Sequence, residues 1–179
     1  MKMEVGDLLF VKGNCNVSPF IRFFLKSPYT HVTIAVDQEN ICEVDLHKKM
    51  EIMKNPYKEY DLYRLKTKLS IGQQEQMLAF IHRKISTSKG YDWWRLISLC
   101  VKRFFRWNII IHEQDRYICS EIIDKAYQHI GIDLVENLVT GDVTPIDIMK
   151  SQQLEYVSSV YKIKESLFEK AKEKASGKM

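Results

Sequence analysis

The hydrophobic pattern of this chain changes period once, near Lys68, and that change limits the folds open to it. Before Lys68, short runs rich in β-branched and aromatic residues alternate with turn formers. Asp7 to Val11 reads as a short buried strand. Thr30 to Val36 and Ile41 to Leu46 read as a hairpin joined by Asp37-Gln38-Glu39-Asn40, and Met50 to Met53 and Tyr60 to Leu65 as two further strands separated at Asn55-Pro56. One short helix, Val17 to Lys26, is expected among them, with Ser18 as its cap and Pro19 in its first turn. After Lys68 the spacing becomes helical. Met77, Leu78, Ile81 and Ile85 predict a helix over Ile71 to Ile85. Trp94, Ile97, Val101 and Phe104 predict one over Tyr91 to Phe105. Ile122, Ile123, Ala126, Tyr127 and Ile130 predict a third from Cys119 to His129, closed by Gly131. Gln153 to Ile163 returns as a strand, and Lys164 to Met179 is a charged helix fraying into a tail. The class expected is α+β, an antiparallel sheet packed against helices.

A chain of 179 residues suits one domain. Its 45% hydrophobic and 28% charged residues are those of a folded globular protein, not of a disordered or repetitive one. The net charge of +4 is concentrated in Lys102 to Trp107 and in the tail, and forms no nucleic-acid-binding motif, so no specific nucleic-acid partner is expected. Cys15, Cys42, Cys100 and Cys119 include no Cys-x-x-Cys pair, which speaks against a zinc knuckle or a thioredoxin-type site; neither metal nor cofactor is expected. The opening Met-Lys-Met-Glu-Val-Gly-Asp lacks the apolar core of a secretion signal, and no run approaches the roughly 20 apolar residues that span a bilayer. A cytoplasmic location with reduced thiols is the expectation. Trp93 to Ile111 mixes tryptophan and phenylalanine with lysine and arginine, and reads either as a core helix with a solvated basic side or as a contact with a membrane surface.

Chemistry enters at Cys119. A cysteine attacks as thiolate, and a free thiol with a pKa near about 8.5 is mostly protonated at neutral pH. The first turn of a helix favours negative charge through its N–H groups and dipole, and the same N–H groups can hold an oxyanion. Cys119 begins its predicted helix, whereas Cys15 falls in a loop and Cys100 in mid-helix. The competing reading is a buried structural cysteine on the apolar stripe.

A nucleophile needs a base, and the histidines differ in their fitness. His129 lies ten residues along the same helix, roughly 15 Å from Cys119. His82 sits in a helix among charged neighbours, and His47 where a strand ends before Lys48-Lys49. His112 is a weak rival in a loop. His31 opens the apolar run Val-Thr-Ile-Ala-Val, where an imidazole at a strand edge can face a helix packed on the sheet. Glu43, twelve residues on, is the only charge within Ile41 to Val44 and would orient that imidazole, provided an odd-numbered hairpin loop puts both on one face. With a three-residue loop, Asp45 would stand opposite His31 and compete for the role.

Several short segments, in order, carry a resemblance: Val-Gly-Asp-Leu-Leu-Phe (Val5 to Phe10), Ser-Pro-Phe-Ile-Arg, Tyr-Thr-His-Val-Thr-Ile-Ala-Val, Ile-Cys-Glu-Val, Gly-Tyr-Asp-Trp (Gly90 to Trp93), Tyr-Ile-Cys-Ser-Glu-Ile-Ile and Thr-Pro-Ile-Asp-Ile. Together they make the chain resemble the permuted papain-like cysteine amidases related to NlpC-type cell-wall peptidases, in their YiiX-like branch. The resemblance implies a circularly permuted papain-like catalytic domain over residues 1–163, with 164–179 as an appended tail. It implies Cys119 as nucleophile, His31 as base and Glu43 as orienting residue, with Tyr91 and Asp92 near the substrate groove. Family members that work on cell walls often carry export signals; none is visible here, so a cytoplasmic or phage-encoded protein is the expectation.

Three functions follow. The first is hydrolysis of an amide in a peptide or amino-acid conjugate, such as a cell-wall stem peptide, through a thioester. The second is lipid acyl hydrolysis or transfer at the same cysteine and histidine. The third is a binding module in which Cys119 is structural. The oligomeric state is not legible.

Overall fold

The computed structural model describes residues 2–12, 29–44, 49–88, 90–91, 116–135 and 143–161. The expected helix at Val17 to Lys26, nearly all of that at Tyr91 to Phe105, the stretch Trp93 to Ile111 and the tail from Lys164 lie outside these residues, as do Asp45, His47, Asp92 and His112.

Six strands form one antiparallel sheet: β1 (Leu8–Lys12), β2 (Tyr29–Ala35), β3 (Asn40–Glu43), β4 (Glu51–Lys54), β5 (Glu59–Leu65) and β8 (Leu154–Tyr161), in the order β4-β3-β2-β1-β5-β8. β1 lies inside the sheet, and Leu8, Leu9 and Phe10 are wholly buried, so its unbroken apolar run serves both faces. On one face Leu8, Phe10, Val32, Ile34 and Cys42 join the core shared with the helices. On the other, Leu9, Val11, Ala35, Ile41, Tyr60 and Leu62 form a second cluster with Met3.

Three helices accompany the sheet among the described residues. α1 (Ile71–Thr87) starts at a capping box, in which Ser70 and Gln73 satisfy each other's backbone N–H, and buries Met77, Phe80 and Ile81. α2 (Cys119–His129) packs on both β2 and α1. Its apolar residues are buried as the stripe predicts, but so are Ser120, Glu121 and Asp124. The helix is enclosed on more than its apolar side. At its end Gly131 takes φ 81°, and the N–H groups of Gly131 and Ile132 return to the carbonyls of Gln128 and Tyr127. Tyr127, wholly buried, donates its hydroxyl to the carbonyl oxygen of Gly6 and so ties α2 to the segment before β1.

Two features depart from the expected pattern. Tyr91 belongs to a short strand, β6 (Gly90–Tyr91), paired in parallel with β7 (Arg116–Tyr117), and not to the start of a helix. The periodic residues that suggested the helix begin only at Trp94, and tyrosine is among the residues enriched in strands. The short helix α3 (Pro145–Met149) has no counterpart among the expected elements. Its start is nonetheless written locally: Thr144 is the cap, Pro145 the first residue, and Asp147 returns to the Thr144 N–H.

Candidate active site

Cys119 occupies the first position of α2, following Ile118 in extended conformation. Ile118 makes no side-chain cap to the helix, and its carbonyl accepts the N–H groups of Glu121 and Ile122. The Cys119 thiol is free and half-buried, whereas Cys42 is buried in the sheet, where desolvation pushes its thiol up to about 12. Ser120 donates to the Val143 carbonyl at 2.6 Å, which fixes the first turn against the segment leading into α3.

His31 owes its position to an irregularity between β1 and β2. Val11 stands opposite His31, but Lys12 stands opposite Tyr29, so β2 holds one residue more than β1 at this point. Such a bulge turns the strand and re-aims its side chains. Buried Asp61 on β5 holds the ends together. It accepts from Lys12 Nζ at 2.8 Å, from the Tyr29 hydroxyl and from Ser159 Oγ. Burial opposes ionisation of Asp61, yet the Lys12, Ser159 and Tyr29 hydrogen bonds hold its carboxyl below the ordinary aspartate value.

Glu43 reaches the same imidazole. Ile34 pairs with Cys42 and Ala35 with Ile41, and the Val36 N–H bonds to the Asn40 carbonyl, leaving Asp37, Gln38 and Glu39 as a three-residue loop. Because side chains alternate, Ala35 and His31 share a face with Ile41 and Glu43. Glu43 Oε1 lies 2.5 Å from His31 Nε2, with both side chains nearly buried. The two groups form a buried ion pair. Glu43 Oε2 accepts from the Tyr57 hydroxyl at 2.8 Å, and the Tyr57 ring lies 5.9 Å from the imidazole, centre to centre, at 47°.

The charge on His31 is decided by opposing effects. Burial, the largest, disfavours the imidazolium. The neighbouring Cys119, through electrostatics and a hydrogen bond with the ring, favours it, and Glu43 adds to this in the same two ways. The result holds His31 well above the ordinary histidine value. His31 thus meets Glu43 at Nε2 and shares a hydrogen bond with Cys119. An imidazole placed between a cysteine and a carboxylate can take the proton of the nucleophile and deliver one to a leaving group.

The structure therefore brings Cys119, His31 and Glu43 together. Among the other described histidines, His82 is exposed and the His129 ring stacks on Phe80. β6 runs beside β7, and Tyr117 of β7 precedes Cys119 by two residues, so the Tyr91 position lies along the lead-in to α2. Asp45 and Asp92 are outside the described residues. Sequence reasoning missed Tyr57, whose one local signal was the Asn-Pro before it; Asn55 Oδ1 accepts the Tyr57 N–H at 2.9 Å. It also missed Lys12 and Asp61, which meet across two strands with no sequence pattern to mark them.

No family model matches this chain, and no curated protein matches it. Among solved structures it is similar to the metalloprotein yiiX from Escherichia coli O157:H7, of the DUF1105 group, with a TM-score of 0.65 and 17% identity, over 90% of this chain and 100% of that one. The α+β arrangement of antiparallel sheet and helices is thus a YiiX-like fold, and at this identity the likeness speaks for the fold alone. No helix among the described residues is long and apolar enough to cross a membrane.

Proposed function

We propose that the chain is a cysteine hydrolase that cleaves an amide bond in a peptide or amino-acid conjugate, within a permuted papain-like catalytic domain spanning residues 1–163. The observation that carries the reading is the position of His31, between Cys119 at the start of α2 and Glu43 on β3. The Cys119 thiolate attacks the carbonyl carbon, and the carbonyl electrons move to oxygen, where the N–H groups of the first turn of α2 stabilise the oxyanion. When the C–N bond breaks, His31 gives its proton to the departing nitrogen, leaving a thioester and a neutral imidazole. A water then loses a proton to His31 and attacks the thioester, and the acid leaves as the Cys119 thiolate and the imidazolium re-form. Glu43 keeps the imidazole aimed and supports its charge.

The yiiX structure is described as a metalloprotein, which raises the question whether these residues suit an ion. They do not converge on one. Among the described residues no three histidine, cysteine or acidic side chains are grouped to hold a metal.

The test is acyl-enzyme formation with an activated acyl donor, 4-nitrophenyl acetate, followed by mass spectrometry. The expected result is a single acetyl group on Cys119, formed about 10²-fold more slowly in His31→Ala. Acetylation spread over several residues, or unchanged by His31→Ala, would overturn the reading.

A further inference from the structure

Glu43 has two oxygens and is almost wholly buried, but His31 engages only one of them. The other, Oε2, accepts the hydroxyl of Tyr57. Tyr57 lies in the short connection between β4 and β5, where its N–H is fixed by Asn55 Oδ1 and the Asn55 N–H by the Glu39 carbonyl at 2.9 Å. Its ring packs against the second core cluster and beside the imidazole. A single side chain thus contacts both the carboxylate and the ring that it orients. A buried carboxylate with one oxygen unpartnered can rotate or take up a proton, and in either case it stops supporting an imidazolium.

We infer that Tyr57 is a fourth member of the array, a positioning residue that clamps Glu43 Oε2 so that Oε1 stays on His31. This rests on the proposed role of His31 and Glu43. Among the described residues, the other ionisable groups on this side are Cys119 from α2 and, across the β3–β4 pair from Glu43, the exposed Glu51. Glu51 is solvated and remains the same in every variant below.

The experiment follows the His31 ring by NMR against pH in wild type, Tyr57→Phe, Glu43→Gln and the double variant. Tyr57→Phe keeps the ring and its packing and removes only the hydroxyl. The expected result is a lower midpoint for His31 in Tyr57→Phe, by an amount corresponding to a roughly 2- to 10-fold change in the proton equilibrium, the scale of one hydrogen bond. Glu43→Gln should lower it further, and the double variant should match Glu43→Gln alone, since Tyr57 acts through Glu43. An unchanged midpoint in Tyr57→Phe, or a drop of equal size in the Glu43→Gln background, would overturn the inference. Failure of the hydrolase reading shows separately, as an absence of acetyl-Cys119 in the wild-type protein.

Discussion

Glu43 meets His31 diagonally across the hairpin: the registered partners are Ile34 with Cys42 and Ala35 with Ile41, yet Glu43 Oε1 stands 2.5 Å from His31 Nε2. Asp45, the alternative carboxylate that the sequence offers for a three-residue loop, lies outside the described residues. The two carboxylates make different predictions. Glu43→Gln should slow acetylation of Cys119 by about 10²-fold, as loss of an orienting partner does, while Asp45→Asn stays within about 3-fold of wild type. Stopped-flow release of 4-nitrophenol decides between them, and the reverse order would assign the role to Asp45.

The bulge that aims His31 is predicted to depend on Asp61. Asp61→Ala leaves the Tyr29 hydroxyl and Lys12 Nζ without their shared acceptor, and should destabilise the fold by about 2–3 kcal/mol. The carboxyl is held below its unfolded value, so its contribution is present at neutral pH and is lost as pH falls through the folded value. Urea unfolding at neutral pH, and again in acid, should show the difference between wild type and variant shrinking at the lower pH.

Asp124 predicts the opposite sign. Burial first, then Asp133 and Glu121, push its carboxyl up to about 6. Between the ordinary value of 3.8 and about 6 the folded protein binds more protons than the unfolded chain, so stability falls as pH rises through that window. Asp124→Asn removes the charge and keeps an acceptor for Gln128 Nε2. It should stabilise by roughly 1–3 kcal/mol at pH about 8 and by almost nothing at pH about 4. Thermal unfolding at the two pH values checks it; equal effects at both would contradict the shift.

Gly6 and Tyr127 predict a third stability effect. Gly6 has φ 90°, and a Cβ there would come within 2.8 Å of Leu69 Cδ1 and 3.3 Å of the Tyr127 hydroxyl. Gly6→Ala therefore combines backbone strain with a clash. Tyr127→Phe leaves the Gly6 carbonyl without its donor and should cost about 1–3 kcal/mol. Denaturant midpoints should place Gly6→Ala below Tyr127→Phe, and both below wild type.

Much of this arrangement was legible in the sequence because it follows local periodicity. The strands from Leu8 to Leu65, the helix Ile71–Thr87 and the helix beginning at Cys119 all lie where alternation or helical spacing puts them. Glu43 could be singled out because a charge inside an apolar strand requires a partner. What stayed hidden depends on contacts between distant segments. Lys12, Tyr29, Asp61 and Ser159 come from four strands, and Tyr57 reaches Glu43 from a connection whose sequence shows only a turn. The bulge beside His31 is likewise a mismatch between two strands, which neither strand records alone. The burial of Glu121 and Asp124 is equally unmarked: charges on a helix suggest a solvated side, and α2 is covered there as well.

The most direct test of the central claim is the rate of iodoacetamide alkylation, resolved by mass spectrometry over all four cysteines, at pH about 6, below the ~8.5 at which a free thiol ionises. Cys119 should be labelled first, at least about 10-fold faster than Cys42, and His31→Ala should remove most of that advantage while leaving labelling near pH 9 within about 3-fold. Labelling of Cys119 no faster than that of Cys42 at pH about 6, or a rate indifferent to His31→Ala, would contradict a thiolate held by His31.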